Sequence, residues 1–352
     1  MAELLAADRE HILRVTGTLW EALRGQRVFL TGGTGFVGTW MVEAFAAANR
    51  AHALGAHATL LTRDPARFRL RSPHLASDAS IDLLTGDAAS FEAPPGAYAY
   101  VVHAATERWF EADRARPLAI VERDALATRR VLDFAAARGA RRMLFTSSGA
   151  VYGPEASALE RVPETFLGAP DPTQARAAYG ESKRLSEFAC TSFARAYGFD
   201  AVVARLFAFV GPYLPLDEGY AIGNFIGDVL ARRPIAIAGD GTPVRSYLYA
   251  ADLAVWLWTI LLRAAPGRAY NVGSPHAVSI RELANAVAAA TAPETAIAVA
   301  SEPARGAAPS HYVPDTSRAE SELGLEPWID LPEAIRRTHA FHLEHRRTST
   351  VP

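Results

Sequence analysis

Short apolar runs alternate with longer stretches of helical period through the first 207 residues. The runs at 28–30, 58–62, 81–84, 100–103, 142–146 and 201–207 are rich in Val, Leu, Ile and Ala. That is the pattern of strands buried on both faces of a sheet. Between them, 39–48, 118–137 and 179–196 place apolar residues three and four apart, which predicts helices. Strands alternating with helices predict an α/β fold with a doubly wound parallel sheet. Ligands of such a sheet gather at the carboxyl ends of its strands.

Beyond residue 207 the rhythm changes. Pro212, Pro215 and Gly219 interrupt it, and shorter strand-like runs follow at 234–238, 245–249 and 269–272. Helices are predicted at 222–231, 253–262 and 280–290. Residues 26–207 therefore carry the main sheet. Residues 208–352 form mostly a smaller C-terminal substrate-binding lobe, from which some segments return to the sheet. Residues 1–25 place Ile12, Val15, Leu19 and Leu23 on one face among charged neighbours. They predict an amphipathic helical extension packed on the body or on a partner subunit. Trp256 and Trp258 are expected in the core.

The first strand runs straight into Gly32, Gly35 and Gly38, and a helix follows. This is the spacing of a dinucleotide-binding turn. The first glycine allows the tight turn, the second a close approach of a pyrophosphate, and the third close packing of helix on strand. The helix N-terminus then offers amide donors to the phosphates. At the end of the second strand stand Thr62, Arg63 and Asp64, where an adenosine ribose is read. An acid there takes ribose hydroxyls, and Asp64 is placed to reach them, whereas Arg63 suits pairing with a 2′-phosphate or stacking on adenine. Ala104 and Ala105 follow the fourth strand and are small enough to let a cofactor lie close.

Composition narrows the classes. The chain has 352 residues, half of them hydrophobic, and a net charge of −2. Such a balance gives no nucleic-acid surface. The single cysteine, Cys190, permits neither an internal disulfide nor a cysteine-rich metal site, and no metal is expected. No apolar run reaches membrane-spanning length, and 1–25 has no targeting pattern, so a cytoplasmic protein is expected.

Only one of the 36 basic residues is lysine, Lys183. Arginine serves everywhere a generic cation is needed, which marks Lys183 for work that arginine cannot do. Tyr179 lies four residues before it, on the same helical face. A tyrosine has an ordinary pKa of about 10 and needs a neighbouring cation to act as a base near neutrality. Ser148, at the end of the fifth strand, is placed to hydrogen-bond the same substrate oxygen.

Taken together, TGGTGFVG (31–38), VVHAA (101–105), SSGAVYG (147–153), YGESK (179–183), RLFAFVGP (205–212), RSYLYAADL (245–253) and DTSRAESELG (315–324) fall in one order. In that order they resemble the extended short-chain dehydrogenase/reductases acting on nucleotide sugars, the epimerase/dehydratase family. The resemblance covers about residues 26–340. It implies a Rossmann-type fold and a nicotinamide cofactor, NAD or NADP, held by Gly32, Gly35, Phe36, Val37 and Gly38. Asp87 would lie near adenine, and Ala104 and Ala105 near the pyrophosphate and ribose. Tyr179 would be the acid/base, Lys183 would hold the nicotinamide ribose, and Ser148 would bind the reacting oxygen. Asn224, Arg245 and Arg305 would bind the nucleotide diphosphate. The family favours NAD; Arg63 favours NADP. A homodimer is implied.

Departures from the family pattern bear on the reaction. The 4,6-dehydratases carry Asp-Glu directly after the catalytic hydroxyl residue, where this chain has Gly149 and Ala150. Without those carboxyls, elimination across C5 and C6 lacks its acid and base. Ala208 and Asp124 each stand where asparagine is common. The expected function is therefore a nucleotide-sugar epimerase working by transient oxidation, at C4, with a 4-ketoreductase as the alternative. A non-catalytic dinucleotide-binding regulator would lack Tyr179 or Lys183, and both are present.

Overall fold

The computed structural model describes residues 5–106, 116–154, 158–303 and 309–349. The chain opens with α1 (Ala6–Thr16), and a 3-10 stretch, Gly17–Leu23, follows. Next come β1 (Arg27–Thr31), α2 (Phe36–Ala51), β2 (His57–Thr62), α3 (Pro65–Arg71), α4 (Pro73–Ala76), β3 (Ile81–Thr85) and β4 (Tyr100–His103). The sequence continues with α5 (Pro117–Ala137), β5 (Arg142–Ser148), α6 (Ala178–Tyr197), β6 (Asp200–Leu206), β7 (Phe209–Val210) and α7 (Ala221–Leu230). After these lie β8 (Ile235–Ile237), β9 (Val244–Arg245), β10 (Leu248–Tyr249), α8 (Ala250–Arg263) and β11 (Ala269–Val272). The last elements are β12 (Val278–Ser279), α9 (Ile280–Thr291), β13 (Ile297–Val299), β14 (His311–Tyr312), α10 (Ser317–Leu323) and α11 (Leu331–Ser349).

Seven strands form one parallel sheet in the order β11-β6-β5-β4-β1-β2-β3. β1 and β4 are neighbours although β2 and β3 intervene in the chain. That reversal is the switch point at which doubly wound sheets bind ligands. β11 joins the edge of the sheet from far along the chain. Among the small pairings, β9 lies between β12 and β14.

Both faces of the sheet are covered by apolar side chains. On one, Phe29, Phe91, Tyr98 and Phe134 pack ring to ring, with centroids 4.3–5.8 Å apart. Burying each such side chain is worth about 2–3 kcal/mol. On the other, α2 and α8 bury Trp40, Trp256 and Trp258. The indole N–H of Trp258 donates to the carbonyl of Met41 at 3.0 Å, and that of Trp256 to Glu326 at 3.2 Å. Both tryptophans are core, as expected, and neither leaves a buried donor unmet.

The N-terminal stretch packs on this second face. Ile12, Leu19 and Leu23 are buried, as their spacing predicts. The helix is shorter than expected because Gly17, at φ +51°, ends it. Polar contacts hold it in place. His11 Nε2 meets Asp252 Oδ1 at 2.7 Å, and Tyr249 donates to Asp8 Oδ2 at 2.8 Å.

Candidate active site

The glycine turn between β1 and α2 is built by close contact. Gly32 has φ +70°, and a Cβ there would lie 2.5 Å from the carbonyl carbon of Ala104. At Gly38 a Cβ would meet the Gly32 carbonyl oxygen at 2.2 Å. Neither position admits a side chain without moving backbone. Gly35 differs: the nearest atom to its Cβ position is 3.4 Å away. Its outer side is open, and no side chain caps α2. A helix N-terminus without a side-chain cap, reached past an open glycine, fits a dinucleotide pyrophosphate. The turn is fastened to the β4 end, where the N–H of Ala105 donates to Thr31 Oγ1 at 3.1 Å.

Beneath the turn, His103 links four elements. Its Nδ1 lies 2.8 Å from Thr31 Oγ1, and its Nε2 lies 3.2 Å from Thr128 Oγ1. Thr128 in turn donates to Ser186 at 3.0 Å. Thr128 therefore accepts from Nε2–H, which leaves Nδ1 to accept from Thr31. Burial, with Lys183 adding to it, holds the imidazole neutral and its pKa down at about 3.

The ends of β2 and β3 carry the residues expected to meet the adenosine. Thr62 is buried, and its Oγ1 lies 3.2 Å from Thr34 Oγ1 in the glycine turn. Arg63 is exposed just past the strand. Asp64 accepts from the N–H of Arg67 at 2.9 Å and caps α3. Asp87 similarly accepts from the N–H of Ala89 at 2.9 Å.

Ser148 ends β5, and Tyr179 and Lys183 stand one turn apart on α6, which packs beside it. Lys183 is only 2% exposed, and its Nζ donates to the carbonyl of Thr146 at 3.1 Å. Burial lowers its pKa, while the charge of Asp124 opposes that shift. Asp124 is itself held by Ser182 Oγ at 2.8 Å. The lysine was expected to make Tyr179 more acidic. In this structure burial outweighs it, and the phenol is raised well above its ordinary value. The nearby Ser148 hydroxyl pulls the other way. Lys183 Nζ is 5.8 Å from the tyrosine ring centre, too far to offset desolvation alone.

Tyr312, which no motif singled out, enters this site together with Phe207 of the RLFAFVGP stretch. The hydroxyl of Tyr312 lies 3.5 Å from Ser148 Oγ, and its ring packs on Phe207 at 4.7 Å. Both sit against Gly149, where a Cβ would meet Phe207 Cζ and the Tyr312 oxygen at 2.8 Å. The signal was faint: Tyr312 lies three positions before the DTSRAESELG stretch. Arg245 is brought here as well. Its guanidinium stands 5.8 Å from the Tyr312 ring centre and donates to the carbonyls of Val244 and Ser310. Asn224 lies in the first turn of α7, half-buried. The preceding Tyr220 acts electrostatically on Tyr179. Arg305 lies outside the described residues. Among the described residues no cluster of His, Cys, Asp and Glu is arranged to hold a metal.

A switch-point sheet, a glycine turn and a Tyr-Lys pair beside a strand-end serine stand together at one end of the sheet, as the short-chain dehydrogenase/reductase resemblance implies. The model of the NAD dependent epimerase/dehydratase family matches residues 28–273, and the chain belongs to that family. UDP-glucuronic acid decarboxylase 1 of Arabidopsis thaliana is 31% identical over 221 residues, 63% of this chain. The match spans 49% of that relative, so the chain covers about half of its length. A UDP-glucose 4-epimerase of Thermotoga maritima, solved with UDP-glucose, superposes with a TM-score of 0.75 at 20% identity. It covers 92% of this chain and 100% of its own. A dTDP-glucose 4,6-dehydratase of Streptomyces venezuelae, solved with NAD, gives 0.76 at 22%, covering 92% and 98%. At such identities these structures speak for the fold. The relatives' names span decarboxylation, epimerisation and dehydration, so likeness shows the family and does not single out a reaction.

Proposed function

We propose that the protein is a nucleotide-sugar epimerase that works by transient oxidation at C4. Gly32, Gly35, Phe36, Val37 and Gly38 would hold a nicotinamide dinucleotide, which would supply a hydride acceptor. Tyr179 takes the proton of the C4 hydroxyl and later returns it. Ser148 holds the reacting oxygen by hydrogen bonding. Lys183, whose charged form Asp124 favours against burial, binds the cofactor ribose and lies 5.8 Å from the Tyr179 ring centre. Arg245 and Asn224 bind the nucleotide diphosphate, where a planar guanidinium is suited to bidentate contact.

The observation that carries this reading is the filling of space at Gly149. Dehydration requires a base for the C5 proton and an acid for the departing hydroxyl, both within hydrogen-bond reach. Phe207 and Tyr312 occupy that position, and neither is a carboxyl. The hydroxyl set needed for oxidation and return remains. The test is an NMR time course with a panel of nucleotide hexoses and no added cofactor. Conversion to a C4 epimer is expected. Failure of every sugar to change configuration, with turnover only of 4-keto sugars and consumption of added NADPH, would replace this reading with the ketoreductase. Arg63 is the residue that favours that second reading.

The homodimer rests on an apolar face of α5 and α6, where Leu126, Leu185 and Phe188 are exposed, the last at 68%. Exposed apolar patches of this kind mark association surfaces. No helix among the described residues is long and apolar enough to cross a membrane. The single thiol, Cys190, is buried and unpaired, which fits the reducing cytoplasm.

A further inference from the structure

We infer that Glu187 is a positioning residue, which aims Ser148 at the reacting oxygen by holding the chain on both sides of it. The placement stands on contacts alone, while its consequence for turnover rests on the role proposed above for Ser148. Glu187 follows Tyr179 by eight positions of α6 and Lys183 by four, so the three lie along one helical face. Its carboxylate accepts from the hydroxyl of Ser147 at 2.5 Å. One residue earlier in β5, the carbonyl of Thr146 accepts from Lys183 at 3.1 Å. The helix therefore grips the strand end at two successive residues. Ser148 continues the extended backbone, with φ −146° and ψ 151°. Side chains alternate along such a backbone, so the hold on Ser147 sets the direction in which Ser148 leaves the chain.

The same carboxylate takes two bonds from Arg205 of β6, from Nε at 3.0 Å and from Nη2 at 2.7 Å. Such a bidentate pair fixes geometry as well as charge. Arg205 spends a further donor on the hydroxyl of Tyr152 at 2.9 Å. Tyr152 ends the short turn that follows Ser148, and it donates in turn to Asn271 Oδ1 of β11 at 2.7 Å. Burial pushes that phenol up to about 12, so it keeps the proton it donates. Ser147 and Tyr152 are thus tied to one ion pair, and Ser148 lies between them. Gly149 beside it has no side chain with which to brace the stretch. The carboxylate and the guanidinium are 14% and 16% exposed, so water and salt screen them little. Glu187 acts on a substrate oxygen only through Ser148.

Glu187→Ala strands the Arg205 charge in a mostly buried place, which endangers folding. Ser147→Ala removes only the bridging hydroxyl and leaves the ion pair, so that variant carries the test. Crystal structures of the wild type and of Ser147→Ala read the placement and need no substrate. Steady-state kinetics on the nucleotide hexose that the wild type converts reads the consequence. In Ser147→Ala the Ser148 Oγ should move by about 1 Å or divide between rotamers, and kcat should fall about tenfold or more. KM should stay within about twofold, because no binding contact is lost. An unmoved Ser148, or a kcat near the wild-type value, would overturn the positioning role and leave the ion pair as a brace between α6 and the sheet. A moved Ser148 in a protein whose wild type converts no sugar would overturn the epimerase reading instead and leave the placement standing.

Discussion

The hydroxyl of Tyr312 lies 3.5 Å from Oγ of Ser148, across 164 positions of sequence. The contact joins the end of the central sheet to a two-residue strand near the chain's far end. It places a second phenol beside Ser148 and, with Phe207, limits what can occupy position 149.

Gly149→Glu should therefore fail to create a dehydratase. The new Cβ would fall 2.8 Å from Phe207 Cζ and the Tyr312 oxygen. Overpacking of this kind destabilises by about 1–3 kcal/mol. Thermal denaturation should show that loss, and neither wild type nor variant should form a 4-keto-6-deoxy sugar. Robust formation of that product by either would refute the account of the site.

Tyr179→Phe removes one hydroxyl and leaves the ring packing intact. Turnover should fall by roughly 100-fold or more, the usual scale for a positioned acid/base. Cofactor affinity should stay near wild type. Near-normal turnover would remove Tyr179 from the mechanism.

Lys183→Arg conserves charge but not shape. The ammonium is 2% exposed, and it donates to the Thr146 carbonyl. A planar guanidinium does not reproduce that geometry. Cofactor affinity should drop at least tenfold by equilibrium titration, with activity lost. An arginine variant that binds and turns over normally would make the lone lysine incidental.

The sheet, its strand ends and the Tyr-Lys pair were legible because each is written locally, as apolar runs, glycine spacing or a four-residue step. Ser148, Lys183 and the glycines occupy the expected elements. Two features were not legible. Tyr312 reaches Ser148 only through β14 pairing with β9, a contact that no periodicity encodes. The sign of the shift at Tyr179 depends on burial, with Tyr312 adding to it electrostatically, whereas spacing reveals only that a lysine is near.

His103 supplies a pH dependence. In the unfolded chain its imidazole takes a proton below about pH 6.5, whereas in the fold it resists until about 3. The unfolded state then binds more protons, so stability falls as pH drops through that window, by about 1.4 kcal/mol per unit. Above pH 6.5 the contribution is complete. His103→Gln should remove one proton's worth of this slope in denaturant titrations between pH 6.5 and 4. An unchanged slope would show that His103 is not held neutral.

Phe188→Glu should disrupt self-association through α5 and α6. Sedimentation should show a dimer for wild type and a monomer for the variant. A wild-type monomer at micromolar concentration would contradict the interface.

The solitary lysine has a spectroscopic consequence. Protein grown with lysine labelled at Cε carries its label at a single position of this sequence, so its NMR spectrum contains one resonance where most proteins give dozens. That resonance comes from the interior of the site. Its chemical shift would follow nucleotide occupancy and protonation in real time, with no mutation and no attached dye.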